Sequence, residues 1–185
     1  ISPAIFFPPA NEIIVDNEDD NFQITNPPAP WLKRFLGLNH NHHTHSSTAE
    51  SHWEHTLMPD CFGDYCLSCL RKRTGKGESS LTWTTPINKK GKYKIYAYMP
   101  NISYSHERSR HMITQEPIRD IQYCDSISYN NREKKIKVHV PETSRWVVIG
   151  EFFLPEGECS VKLYDIGLPG QWVVGDAIKW VYQKP

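Results

Sequence analysis

Along much of the chain apolar and polar residues alternate one by one, and a period of two puts successive side chains on opposite faces of an extended strand. In Glu158-Cys159-Ser160-Val161-Lys162-Leu163-Tyr164, the residues Cys159, Val161 and Leu163 form an apolar face while Ser160 and Lys162 turn away. Lys135-Ile136-Lys137-Val138-His139-Val140 repeats the pattern with Ile136, Val138 and Val140 inward, and Pro141 ends it. Further β-rich runs cover Glu12–Val15, Phe22–Thr25, 80–85, 92–99, 146–154 and 173–182, mostly separated by Gly, Pro, Asn or Asp. No window of ordinary helix length keeps apolar residues at the spacing of an amphipathic helix, and 31–38 and 105–114 offer at most a turn or two. Short strands without intervening helices favour antiparallel pairing, because parallel neighbours need long crossover connections. The pattern predicts an all-β chain: a single domain over 1–185, folded as an antiparallel two-sheet sandwich.

Residues 26–78 and 101–119 break the alternation. The first contains Pro27, Pro28 and Pro30, a His-rich tract and a Cys cluster; the second is polar and carries Arg108, Arg110 and Arg119. Both read as long irregular excursions, the part of a compact domain where specificity tends to reside. Charge changes the picture only by exclusion. With 21 basic and 21 acidic residues there is no excess field to draw the chain to nucleic acid or to an anionic membrane. No apolar stretch has the roughly 18 residues of a membrane span. The sequence opens on Ile1 without a leader-like segment, which reads as a processed product or a piece of a longer protein.

The densest chemistry lies in the first excursion, where His40, His42, His43, His45, His52 and His55 precede Cys61, Cys66 and Cys69. His52 with His55 and Cys66 with Cys69 make two ligand pairs, each with two intervening residues, which together would close a tetrahedral zinc site. The order of the pairs is not that of a zinc finger. The same cysteines have a spacing seen in plant-type ferredoxins, with Cys124 as a distant fourth ligand, but the accompanying glycine- and serine-rich loop is missing. Oxidation is the plainer reading: five cysteines allow two disulfides and one remaining thiol, and Cys159, on an inward face, is the candidate for that thiol. The pairing among Cys61, Cys66, Cys69 and Cys124 stays open. A run of oxygen-bearing side chains, Asp16, Asn17, Glu18, Asp19 and Asp20, reads either as calcium ligands or as a turn bonded to its own backbone. Ser46 and Ser47 lie near His45 and Glu50, but no nucleophile-elbow pattern accompanies them, and no phosphate-cradling glycine pattern occurs. These features argue against an enzyme.

Aromatic residues make up 12% of the chain, and a flat ring can stack on the apolar face of a sugar while neighbouring polar groups bond its hydroxyls. Trp31, Trp53, Tyr65 and Trp172 fall outside the clearest inward positions and form the candidate ligand platform; Trp83, Trp146 and Trp180 lie in strand runs and are read as core. Val15-Asp16-Asn17-Glu18-Asp19 with Phe22, and Gly75-Lys76-Gly77-Glu78 leading into Ser80-Leu81-Thr82-Trp83-Thr84, are followed by three further segments. These are Gly91-Lys92-Tyr93-Lys94-Ile95-Tyr96-Ala97-Tyr98-Met99-Pro100, Trp146-Val147-Val148-Ile149-Gly150 with Phe152, and Val174-Gly175-Asp176-Ala177-Ile178-Lys179-Trp180-Val181. In order and spacing they resemble the golvesin C-terminal-like domain, also called the xanthan-lyase-type carbohydrate-binding-like domain. The resemblance implies a sandwich of jelly-roll, galactose-binding-like type, of a kind appended to secreted or surface proteins of bacteria. It implies a polysaccharide or glycan as partner and an extracellular, cell-surface or periplasmic location. The His/Cys-rich tract has no counterpart in that pattern and supports the alternative, a structural or assembly domain that docks a neighbouring protein through this loop.

Overall fold

A computed structural model describes residues 10–26, 52–63, 67–100, 120–127, 132–139, 143, 145–167 and 171–184. In chain order the strands are β1 (Glu12–Val15), β2 (Phe22–Thr25), β3 (Glu54–Leu57), β4 (Ser68–Arg73), β5 (Ser80–Ile87) and β6 (Gly91–Met99). They continue with β7 (Asp120–Ile127), β8 (Arg132–His139), β9 (Arg145–Leu154), β10 (Gly157–Tyr164), β11 (Trp172–Gly175) and β12 (Ile178–Gln183). All pair antiparallel, in three sheets ordered β1-β12-β6-β9, β2-β5-β10-β7-β8 and β11-β4-β3. No helix occurs among the described residues.

The alternation accounts for the packing. Cys159, Val161 and Leu163 of β10, Leu81 and Trp83 of β5, Ile95 and Ala97 of β6, and Ile178 and Trp180 of β12 are all buried in one cluster, and Val138 joins them from β8. Leu70 and Val173 belong to the same cluster, so β4 and β11 pack against it as β6 and β12 do. A fully buried Leu or Ile of this kind contributes roughly 1.5–3 kcal/mol. The five-stranded sheet is one layer; the other two sheets together form the facing layer.

Two expectations are corrected here. The run 173–182 is not one strand: it leaves the small sheet at Gly175 and enters the four-stranded sheet at Ile178. A Cβ on Gly175 would lie 2.4 Å from Leu81 and 3.0 Å from both Leu163 and Trp83, so only glycine lets the layers meet there. At the break, the Asp176 carbonyl accepts from Trp83 Nε1 at 2.8 Å and the Ala177 carbonyl accepts from the Tyr98 amide at 2.8 Å. The excursion 26–78 is likewise not irregular throughout, since β3 and β4 lie inside it. Their pattern is hidden because a lysine occupies an inward position. Lys72, in line with Ser68 and Leu70, turns inward to place Nζ 2.7 Å from Asp165 Oδ2, with side chains 5% and 2% exposed. Gly77, at φ +91°, donates its amide to Asp165 Oδ1 at 2.8 Å. The excursion 101–119 and the short helical alternatives at 31–38 and 105–114 lie outside the described residues.

Two buried ionisable sites yield predictions. Lys72→Met keeps most of the buried stem but leaves the Asp165 carboxylate without its cation, so stability at neutral pH should fall by about 3–5 kcal/mol, read as an earlier urea midpoint. An unchanged midpoint would mean the pair is not buried. Asp176 is 1% exposed, and burial pushes its carboxyl from an ordinary 3.8 up to about 9, against the amide of Phe62 and helped by Cys61 and Asp16. Between those values the folded chain holds a proton that the unfolded chain has released. Stability therefore declines as pH rises through this window, by up to about 1.4 kcal/mol per pH unit. Asp176→Asn should remove this slope, melting above the parent near pH 8 and not near pH 4; parallel pH profiles would refute the shift.

Candidate functional site

Strand period explains which side chains reach the outer surface of the four-stranded sheet. In β6, Tyr93, Ile95, Ala97 and Met99 point into the core, which leaves Lys94, Tyr96 and Tyr98 on the other face. Across the ladder Tyr96 faces Val148 and Tyr98 faces Trp146, while a register shift at Ile95/Tyr96 accommodates Ile149 as an additional inward residue. The bulge lets Trp146 and Val148 share an outer face although Glu151 and Phe153 continue it with the opposite parity. Trp146 is therefore half-buried on the outer surface and not core as its strand context suggested; Trp83 and Trp180 are fully buried.

Phe62 completes this surface from the segment after β3. Its ring centroid lies 5.1 Å from that of Trp146 and 5.6 Å from that of Tyr98, and Tyr98 and Trp146 are themselves 5.3 Å apart, nearly edge to face. The Phe62 amide donates to Asp176 Oδ2 at 3.0 Å, which fixes the segment to the layer beneath. Lys179 of β12 lays its ammonium 4.7 Å from the Trp146 ring centre and 5.2 Å from that of Tyr96, and 3.6 Å from the Glu12 carboxylate. Burial, with Asp176 and Asp60 nearby, raises the Tyr98 phenol above its ordinary value, so it remains a neutral hydroxyl at physiological pH. Half-buried rings, an ammonium, a carboxylate and a phenol thus line one face. This arrangement can stack on an apolar ring face and bond hydroxyls around it.

A second aromatic group occupies the outer face of the small sheet. Trp172 is half-buried, with the guanidinium carbons of Arg73 and Arg71 at 4.3 and 5.1 Å from its ring centre, and Arg71 bonds Glu54 at 3.3 Å. Of the other residues expected to form a platform, Trp53 is buried in the core cluster at 7% exposure, and Trp31 and Tyr65 lie outside the described residues.

The expected zinc ligands are not drawn together where they can be described. His55 pairs with Leu70 and Cys69 with Thr56, so strand alternation sends His55 and Cys69 to opposite faces of the hairpin. His55 Nδ1 instead lies 3.7 Å from Glu18, His52 is exposed, and Cys66 is outside the described residues. Cys69 contacts Cys61 in a small cluster with Met58 and Val174. Among the described residues no group of three or more His, Cys, Asp or Glu is placed to hold a metal. The acidic run binds its own turn: the Asp16 amide donates to Asp19 Oδ2 at 2.7 Å and the Asn17 amide to Asp16 Oδ1 at 2.8 Å. Buried Asn17 bonds Ser68, which donates to Glu18, so the turn is tied to β4.

Tyr96, Tyr98, Trp146 and Lys179 were not singled out from the sequence. The signal was present in Lys92-Tyr93-Lys94-Ile95-Tyr96-Ala97-Tyr98, where alternation sets Tyr96 and Tyr98 in line with two lysines and opposite the core residues.

Comparison with known proteins now has a geometry to refer to. Among solved structures the chain is similar to Paenibacillus xanthan lyase, with a TM-score of 0.59 at 18% identity over 94% of this chain. It is similar to a family 35 carbohydrate-binding module from Clostridium thermocellum, with a TM-score of 0.54 at 13% identity, covering 91% of this chain and 98% of that one. A third neighbour, the Podospora anserina GH26-CBM35 β-(1,4)-mannanase, has a TM-score of 0.51 at 11% identity over 95% of this chain. The chain spans 13% of the xanthan lyase and 28% of the mannanase. At these identities the likeness establishes the fold, an all-β sandwich of jelly-roll type. No curated protein matches the chain. The family model of the golvesin C-terminal domain matches residues 37–182, most of the sequence, and the chain belongs to that family.

Proposed function

We propose that the chain is a non-catalytic glycan-binding module that works outside the cytoplasm as an attached part of a larger secreted or cell-surface protein. Polysaccharide is its partner, held on the outer face formed by Tyr96, Tyr98, Trp146 and Phe62, with Lys179 and Glu12 bonding hydroxyls. The observation that carries this reading is the placement of these rings. Tyr96, Tyr98 and Trp146 turn away from the core on their strands, and with Phe62 they lie only partly buried beside a paired charge. The family and the shared fold with a solved carbohydrate-binding module support the class. A module of this kind acts by raising its parent protein's local concentration at a polymer. Trp172, flanked by Arg71 and Arg73, is a second contact point for a long chain.

Docking of a neighbouring protein is the second reading, and it too has an observation in its favour: Leu57 is 76% exposed at the end of β3, beside exposed Leu67. A panel of soluble polysaccharides in affinity electrophoresis separates the two. At least one polysaccharide should retard the parent, and Trp146→Ala should weaken that retardation about tenfold or more with an unchanged dichroism spectrum. Leu57→Ser should leave it intact. Retention of full binding by Trp146→Ala and Trp172→Ala together would discard the aromatic faces as the site.

A further inference from the structure

The small cluster beneath Phe62 contains two thiols that neither the sandwich core nor the proposed glycan face uses. Cys69 is fully buried on the outer side of β4, and Cys61 is 5% exposed above it. The chain folds back to make this contact: the Met58 amide bonds the Leu67 carbonyl at 3.0 Å, closing the hairpin, and the Cys61 amide bonds the Met58 carbonyl at 3.1 Å. The two thiols are hydrogen-bonded to each other, packed between Met58 and Val174. Cys159 lies elsewhere, in the core cluster between the layers.

We propose that Cys61 and Cys69 join in a disulfide that staples the 58–63 segment to β4 when the chain folds in an oxidising compartment. The oxidant is a low-molecular-weight disulfide such as oxidised glutathione. Cys61, as thiolate, attacks one of its sulfurs and expels a glutathione thiolate, which takes up the proton released by Cys69. Cys69 then attacks the Cys61 sulfur of the mixed disulfide and releases the second glutathione; two protein thiols give up two electrons and two protons, and one small disulfide becomes two thiols. The roles follow from the bond between them. Cys69 donates to the Cys61 sulfur, which lowers the Cys61 thiol and, together with burial, raises that of Cys69. The staple holds Phe62 against Tyr98 and Trp146 and its amide on Asp176, but the pairing itself does not depend on what the aromatic face binds.

Peptide mapping of the intact chain tests the pairing, and Cys66→Ser assigns it to Cys69. The chain is refolded in mixed oxidised and reduced glutathione, its remaining thiols are blocked with N-ethylmaleimide in denaturant, and it is cleaved before aspartates. Cleavage at Asp60 and Asp64 separates Cys61 from Cys69. The fragment Asp60-Cys61-Phe62-Gly63 should emerge joined to the fragment that begins at Asp64, and reduction should part them. Cys66→Ser, which removes the other thiol of the second fragment, should give the same joined pair. Blocked Cys61 and Cys69 in the folded Cys66→Ser protein, or Cys69 joined to Cys124, would overturn the proposal.

Discussion

The fold depends on how the chain crosses from one sheet to another at Gly175-Asp176-Ala177. Leaving a β-ladder inside a protein strands backbone donors and acceptors, and a buried polar group without a partner costs on the order of 1–3 kcal/mol. Here the carbonyls of Asp176 and Ala177 are met by the Trp83 indole and the Tyr98 amide, one from each layer. The absence of a side chain on Gly175 brings Leu81, Leu163 and Trp83 close enough for this to happen. A single crossing thus joins the four-stranded and three-stranded sheets into one layer over a common core.

What lies outside that layer follows from it. Because the inward sides of β6, β12 and β9 are committed to the core, their outward sides are free to carry rings and charges, and the bulge at Ile149 sets which residues of β9 take part. The segment 58–63 spans the junction on the outside, its amide on Asp176 and its phenylalanine among the rings of the neighbouring sheet. The buried Lys72–Asp165 pair performs a related task on the other flank, tying β4 to the end of β10. An ion pair so enclosed adds little net stability over apolar packing, but it is intolerant of losing either partner and so fixes one arrangement.

Much of the sandwich could be read from residues such as Val161, Leu163, Ile95 and Ala97, where alternation is undisturbed and burial follows it. It failed where a polar residue faces inward or an aromatic faces outward. Lys72 hid β4 within the excursion 26–78 because its partner Asp165 is 93 residues away in sequence. Trp146 looked like core because strand period distinguishes two faces without saying which one a lone tryptophan takes; only its cross-strand neighbour Tyr98, on the outer face of β6, decides it. Of the candidate zinc ligands, His55 and Cys69 are parted by a local rule: two residues on neighbouring rungs of a hairpin cannot both point the same way. Contact between Cys61 and Cys69 required the turn at Met58, which spacing alone does not specify.

β1 runs alongside β12, Glu12 against Val181 and Val15 against Ile178, with the Tyr182 amide bonded to the Asn11 carbonyl at 2.8 Å. The first and last described strands therefore share one border of one sheet. A polypeptide continuing on both sides would enter and depart by the same doorway. Such a unit can hang as a side branch from a longer chain without pushing its flanking parts asunder, and the aromatic surface is carried along on that branch.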